Sequence, residues 1–424
     1  MMSPRSAYIH IPFCRRRCYY CDFPIAVVGD KPPTGHGDRI NGSNSGTISH
    51  YVDVLCQEIR QSAEWGEPLA TVFFGGGTPS LLSVQQLGRI LAELAQRFGL
   101  AANAEISMEI DPATFDLEQL KGYQAAGVNR VSLGVQAFQP ELLQGAGRSH
   151  TVADILSAID LIHQANFTNI SLDLISGLPQ QTLEQWEDSL QQAIALAPTH
   201  LSCYDLIVEA GTPFSRQYQP GMKPLPSDEL AAEMYRTAQR LLTANGFEHY
   251  EISNYAKPGY QCRHNRVYWK NQPFYGFGMG ATSYLHGERL ARPRKTWEYY
   301  EWVAERGRER EGERGRGDGP QSSVLSPQFL VSTPNAPPDW LDTLMLGLRL
   351  AEGLDLAELR QTFGATAIAR LWNCLQPFVE AGLVSLAPVS DSEPVPHAGT
   401  LCLTDPEGFL LSNVVLTRIF EAFD

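Results

Sequence analysis

Three cysteines near the start of the chain, Cys14-X3-Cys18-X2-Cys21, are the residues best placed to do chemistry. A cubane of four irons held by cysteine takes one thiolate per iron. Three thiolates in one short loop leave an iron without a protein ligand. That open corner can bind a small molecule and pass it an electron, and with S-adenosylmethionine the outcome is radical chemistry. A structural zinc is the competing reading. It wants four ligands, commonly in paired C-X2-C units, and the fourth would come from His10, Asp22 or a distant residue. A disulfide framework does not fit, because eight cysteines in 424 residues are sparse and the other five (Cys56, Cys203, Cys262, Cys374, Cys402) are scattered. Arg15, Arg16 and Arg17 lie between the first two cysteines, and positive charge there is expected to favour the thiolates.

A second dense cluster is Cys262-Arg263-His264-Asn265-Arg266-Val267-Tyr268-Trp269, followed by the glycine- and aromatic-rich run Phe274–Ser283. An imidazole beside flat aromatic side chains can ligate heme iron and pack on a macrocycle. The same residues can equally form an aromatic core around a hydrogen-bonded histidine.

The elements that must position these groups alternate. Short runs rich in β-branched and aromatic residues predict strands at Ala7–Pro12, Thr71–Gly75, Glu105–Asp111, Arg130–Gln136, Asn169–Ile175 and His200–Val208. Amphipathic stretches predict helices at 50–64, 83–98, 116–126, 151–165, 182–196 and 227–245. Alternation of this kind, with strands read as continuously apolar, predicts an α/β fold with a parallel sheet covered by helices. Six units make a partial (β/α)6 barrel with its chemistry at the C-terminal strand ends. Those ends carry, in order, the cysteine loop, Gly75-Gly76-Gly77-Thr78-Pro79, Glu109-Ile110-Asp111, Gly134-Val135-Gln136, and Asp173 ahead of Gly177-Leu178-Pro179. Any one of these could be a turn, but five on one rim read as a site. Glycines without Cβ let backbone groups approach a ligand closely, here the amino and carboxylate groups of a methionine moiety. A phosphate loop is weakly supported, since no Gly-Lys-Ser/Thr follows. Glu109 and Asp173 can accept from an amine or ribose hydroxyls, and Gln136 can do so as a neutral group.

Composition bounds the rest. Net charge is −14, which argues against a nucleic-acid backbone as partner. No apolar run is long enough to span a bilayer, and the N-terminus does not read as a signal peptide. Free cysteines and an oxygen-sensitive cluster point to the reducing cytoplasm. The barrel is expected over 1–245, with a disordered insertion near 29–49, and an extension bearing the His264 cluster over 246–305. A flexible linker is expected over 306–338. A helical domain over 339–424 would be built from Trp340–Leu350, Leu356–Phe363, Ile368–Ala381, a hairpin of Val384–Leu386 with Thr400–Thr404, and a closing helix Leu410–Phe423. It reads as winged-helix-like.

The run Tyr8-X-His10-Ile11-Pro12-Phe13-Cys14-X3-Cys18-X-Tyr20-Cys21-Asp22-Phe23 resembles the radical SAM enzymes, and more narrowly the oxygen-independent coproporphyrinogen III oxidase-like family. The resemblance implies that Cys14, Cys18 and Cys21 ligate a 4Fe–4S cluster, with S-adenosylmethionine on the fourth iron. It implies contacts to S-adenosylmethionine from Tyr8, Gly76, Gly77, Thr78 and Glu109. Tyr20, Gln136, Arg148 and Asp173 match positions that serve a second S-adenosylmethionine in the oxidase branch. That branch also has a further cysteine where Phe23 stands here, and an extra segment ahead of a strand that only seven residues precede in this sequence. His264-Asn265-X2-Tyr268-Trp269 is similar instead to the signature of the heme chaperone branch, HemW. Membership there implies heme as cargo with His264 as its ligand, heme-acceptor proteins that could be membrane-associated, and an electron donor for the cluster. The alternative is oxidative decarboxylation of coproporphyrinogen III to protoporphyrinogen IX.

Overall fold

A computed structural model describes residues 3–29, 48–314, 339–387 and 398–423. Six parallel strands follow one another in chain order: β1 (Ser6–Ile11), β2 (Leu69–Gly76), β3 (Leu100–Ile110), β4 (Arg130–Gln136), β5 (Ile170–Ser176) and β6 (His200–Asp205). The crossovers contain helices α1 (Ile48–Gln61), α2 (Val84–Phe98), α3 (Leu117–Ala126), α4 (Val152–Gln164) and α5 (Leu183–Ala195), and α6 (Asp228–Ala244) follows β6. Helix starts obey local chemistry. Ser83, Thr151 and Thr182 each cap a helix through reciprocal bonds with the residue three positions on.

The expected six-stranded sheet is extended at both edges. Antiparallel β7 (Glu248–Glu251) and β8 (Asn254–Ala256) continue it beyond β6. On the other edge β9 (Tyr275–Phe277) pairs in parallel with β1, so the sheet has nine strands. These additions come from three- and four-residue runs, too short for periodicity to reveal. Gly276 in β9 is required by space, since a Cβ there would lie 2.2 Å from the Thr282 carbonyl oxygen.

The strands are not continuously apolar, contrary to expectation. Ile9, Val72, Phe74, Ile106, Met108, Val131, Leu133, Leu172 and Leu201 pack in the main core, against the helices. The alternate set Tyr8, His10, Thr71, Glu105, Glu109, Arg130, Ser132, Asp173, His200 and Ser202 lies on the other face. Adjacent residues of a strand face opposite ways. The barrel interior is therefore polar along most of its length.

Behind β9, α7 (Arg263–Trp269) lies at the N-terminal end of the strands and α8 (Thr296–Arg314) packs on α1. Buried Glu58 of α1 accepts from Arg292 (2.9 Å), the Tyr299 hydroxyl (2.8 Å) and Gly278 N–H (2.8 Å). Because α8 runs to Arg314, the expected linker is helical over 306–314, and its remainder, 315–338, lies outside the described residues. Of the expected insertion at 29–49, residues 48 and 49 open α1 and 30–47 lie outside the described residues.

Helices Trp340–Gly347, Leu356–Phe363, Ala365–Glu380 and Ser412–Phe423 enclose a second core centred on Leu344, Leu371, Leu375, Leu403 and Val415. The hairpin is present as Val384–Ala387 with Thr400–Leu403, joined by Leu354–Asp355. This unit meets the barrel through Arg236 with Glu407 (2.7 and 2.9 Å), His249 with Asp405 (2.7 Å) and Lys270 with Glu352 (2.7 Å).

Candidate functional site: a strand-end cavity

A cavity of about 440 Å³ opens at the C-terminal ends of the barrel strands. Cys14, Cys18, Cys21, Tyr20, Gly76, Gly77, Thr78, Glu109, Gln136, Arg148 and Asp173 all line it. These residues come from the loop after β1, the β2 turn, β3, β4, the loop before α4, and β5. Only the chain's path through a parallel barrel gathers them. Tyr8 lies just below, in contact distance of Gly75 beside Glu109.

The cysteine loop is tied down from several sides. Tyr19 N–H donates to Ala146 O (3.0 Å) and Phe214 N–H to Tyr19 O (3.0 Å). Arg15 donates to Ala113 O (2.6 Å), and Arg17 to the carbonyls of Cys21 (3.1 Å) and Phe23 (3.2 Å). The expected effect of this arginine run on the thiols is therefore mostly indirect. Burial pushes the Cys14 thiol up to about 12, despite the Thr78 hydroxyl at 3.7 Å. Cys21 is also raised by burial, which outweighs the nearby Arg17. The guanidinium that touches a thiol is that of Arg148, 3.3 Å from Cys18 Sγ. The three cysteines are free. Among the described residues no three His, Cys, Asp or Glu side chains converge on a point that would hold one ion. Thiols spread around a cavity suit a multi-iron cluster better than a single tetrahedral ion.

The glycine turn serves the chain itself as well as the cavity. Gly76 has φ of +107°, and a Cβ on it would sit 2.4 Å from the His10 ring. That ring is fixed by the Tyr8 hydroxyl at Nδ1 (3.1 Å) and Pro24 O at Nε2 (2.9 Å). Gly77 donates to Ile11 O (2.8 Å) and Thr78 N–H to Phe13 O (2.7 Å), docking the turn on the approach to Cys14.

Two carboxyls face the cavity in different states of satisfaction. Asp173 accepts from the Ser132 hydroxyl at both oxygens (3.0 and 3.2 Å), and burial still raises it. Glu109 accepts one bond, from Gly76 N–H at 3.0 Å. Burial and then the Asp173 charge push it up to about 8. Arg148 is held by Asp111 and by Gly134 O at 3.0 Å. Burial opposes its charge, but Asp111, Tyr20 and Cys18 outweigh that. Sequence reasoning named Asp111 at its strand end but gave it no role, and it omitted Ser132, Tyr204, Asp205 and Ile207, which also line the cavity. Strand alternation could have found Ser132, which lies two positions before Gly134 on the same face. Tyr204 and Asp205 end β6.

His264, expected as a heme ligand, does not line this cavity. The side chain is fully buried. Nδ1 bonds the Thr71 hydroxyl (2.7 Å) and Nε2 the Tyr268 hydroxyl (2.8 Å), so both ring nitrogens are engaged inside the protein. Burial and then Arg130 lower the ring to about 3, which keeps it neutral. Glu105 holds the start of α7, accepting from Arg263 N–H and His264 N–H, each at 3.1 Å.

The chain matches the Radical SAM superfamily over residues 8–193 and the HemN C-terminal domain over residues 339–389. It is 45% identical over 429 residues to a heme chaperone HemW of Synechocystis sp., covering 100% of this chain and 98% of that protein. It is 40% identical over 304 residues to the heme chaperone HemW of Escherichia coli, covering 70% of this chain and 74% of that one. The solved coproporphyrinogen III oxidase (HemN) of Escherichia coli, a radical SAM enzyme, superposes with a TM-score of 0.73 at 23% identity. That likeness covers 98% of this chain and 90% of that one, and it establishes the fold. With three free cysteines and a glycine turn on one cavity, and near-complete coverage of a relative at 45% identity, the chain belongs to the HemW family within the radical SAM superfamily.

Proposed function

We propose that the protein binds heme and delivers it to acceptor proteins, with a 4Fe–4S cluster and S-adenosylmethionine held in the strand-end cavity. The observation that carries this reading is the cavity, in a chain similar over its whole length to a heme chaperone. Cys14, Cys18 and Cys21 would hold three irons. Gly76, Gly77, Thr78, Glu109, Gln136, Arg148 and Asp173 would hold S-adenosylmethionine, with Tyr8 and Tyr20 flanking it. When bound, the cluster supplies the electron that reduces a sulfonium.

The chain's own residues do the rest. Glu109, neutral or charged according to its partner, can receive a proton or an ammonium group. Arg148 and Asp111 form a fixed ion pair that orients Cys18. The outer lip of the cavity exposes Phe23 (54%), Tyr204 (43%) and Ile207 (68%). An apolar lip of this kind suits one face of a porphyrin. Arg15 and Arg16 line the same cavity and supply cations for propionates. The acceptor is a protein that uses heme, and the electron comes from a one-electron donor. Eight unpaired cysteines, all of them buried or half-buried, suit a reducing cytoplasm. No helix among the described residues is long and apolar enough to cross a membrane.

The test is anaerobic reconstitution of the cluster, then titration with heme. A saturable Soret shift, followed by transfer of that absorbance to an apo-acceptor, is expected. Lack of heme binding would overturn the reading. So would conversion of coproporphyrinogen III to protoporphyrinogen IX by the reconstituted protein.

A further inference from the structure

The His264 helix and the cysteine loop lie at opposite ends of the barrel, yet a continuous series of ring contacts and hydrogen bonds runs between them. The His264 ring stacks on Phe73 (centroids 5.3 Å apart, planes at 25°) and forms an edge contact with Tyr268 (5.1 Å, 86°). Phe73 stacks on Tyr8 across the β1–β2 pairing (6.3 Å, 21°). Tyr8 donates or accepts at His10 Nδ1 (3.1 Å), and His10 Nε2 meets Pro24 O, three residues past Cys21 (2.9 Å). The His10 ring also fills the space beneath Gly76, part of the turn that lines the cavity. At the other end α7 is clamped twice. Glu105 of β3 holds its first two amides, and Glu352 of the C-terminal unit pairs with Arg266 and with Lys270 at 2.7 Å.

We propose that His264 is a positioning residue: through Phe73 and Tyr8 it sets His10 and the Gly76 turn, and so links occupancy of the strand-end cavity to the helix Arg263–Trp269. This inference rests on the reading of that cavity as the S-adenosylmethionine site. Close-packed rings transmit displacement because they cannot compress. His10 is the element that both ends act on. Its ring has one hydrogen bond on each side, and any movement of the Gly76 turn meets it first. Adjacency alone does not establish coupling, so the linkage has to be measured as a reciprocal effect.

The measurement uses the full chain with its cluster reconstituted, in wild type, Phe73→Leu and Tyr268→Phe. Both substitutions are chosen to keep the fold. The first interrupts that series of contacts, and the second removes one hydroxyl from His264. Neither Phe73 nor Tyr268 lines the cavity. Two quantities are read: S-adenosylmethionine affinity by equilibrium binding, and deuterium uptake of the peptide amides at 263–270 with and without S-adenosylmethionine. In wild type, binding is expected to slow exchange at 263–270. Each variant is expected to weaken binding by roughly five- to tenfold and to abolish that protection, with iron and sulfide content unchanged. The double variant should lose no more than the worse single one, since both act along one route through His264 and Phe73. Unchanged affinity and unchanged protection in both variants would overturn the linkage while leaving the cofactor reading intact. No S-adenosylmethionine binding by wild type would overturn both. A lowered melting temperature with wild-type affinity would mark His264 as core packing alone and overturn the proposal.

Discussion

Both ends of this barrel carry a carboxylate and a thiol, but the two sets have opposite fates. At the N-terminal strand ends, Glu105 accepts from two amides and has the Cys262 thiol at 3.8 Å, while His264 uses both ring nitrogens. At the C-terminal ends, Glu109 has one donor, Cys14 is half-buried with a single weak hydroxyl contact, and both face an open cavity. Buried polar groups are ordinarily paired. Where the protein supplies the partners, the cluster is part of the architecture. Where it leaves them out beside a cavity, a ligand has room to supply them.

The sharpest way to break this comparison is to remove a thiol from each end. Cys14→Ser is expected to abolish the broad visible absorbance of the reconstituted cluster and, with it, S-adenosylmethionine binding, while leaving the melting temperature of the cluster-free protein nearly unchanged. Cys262→Ala is expected to do the reverse, keeping the absorbance and lowering stability. Iron analysis with differential scanning fluorimetry reads both. Loss of the cluster in Cys262→Ala would erase the distinction.

The carboxylates give the next largest effect. Glu105→Ala leaves the first amides of α7 without an acceptor and the buried Arg130 without its neighbouring anion. Truncating one partner of such a buried set costs about 3 kcal/mol, to be seen as a lower urea midpoint. Glu109→Ala at the other end is expected to cost less, because only one bond is lost.

The difference between the two ends also decides what could be read from the sequence. The cysteine loop, the strand-end glycines, Glu109, Gln136 and Asp173 were legible because each lies at or near the C-terminal end of a strand, and topology gathers strand ends; Arg148 came from the family resemblance. All six strands and the six helices after them fall within a few residues of expectation, since each spans enough residues for its period to register. The setting of His264 was not legible for the opposite reason. An imidazole among aromatic rings has the same local sequence whether it faces a cavity or a core. What settles it is Thr71, 193 positions away in the chain. The polar barrel interior was missed because period-two alternation in six short strands is diluted by the helix-facing apolar residues. The three-residue strands at the edges carry no period at all.

Glu109 allows the comparison to be sharpened by pH alone. Its folded value of about 8 lies above the ordinary carboxyl range. Between roughly pH 4.5 and 8 the folded state therefore holds a proton that the unfolded state has released, so stability falls as pH rises through that window. Ligand-free wild type is expected to lose several kcal/mol across it, on the order of 5 kcal/mol at most, and Glu109→Gln to lose distinctly less. Thermal melts of both proteins at pH 5.5 and 8.5 measure this. Equal slopes would mean that Glu109 finds a partner in the free protein after all, which would make the two ends alike.

The smallest effect is expected on the outer face of α7, where Glu352 pairs with Arg266 and Lys270. All three side chains are part-exposed, so solvent screens the pairs and each is worth well under about 1 kcal/mol. Glu352→Ala should lower the melting temperature by about a degree in low salt and by less in high salt, because screening already weakens the wild-type pairs. Cluster content should not change. The variant isolates the C-terminal unit's hold on α7 from the hold exerted by Glu105 beneath it. If a surface carboxylate mattered as much as the buried one, α7 would be anchored mainly by the neighbouring unit, and the closed end of the barrel would owe its closure to docking and not to its own polar pairing.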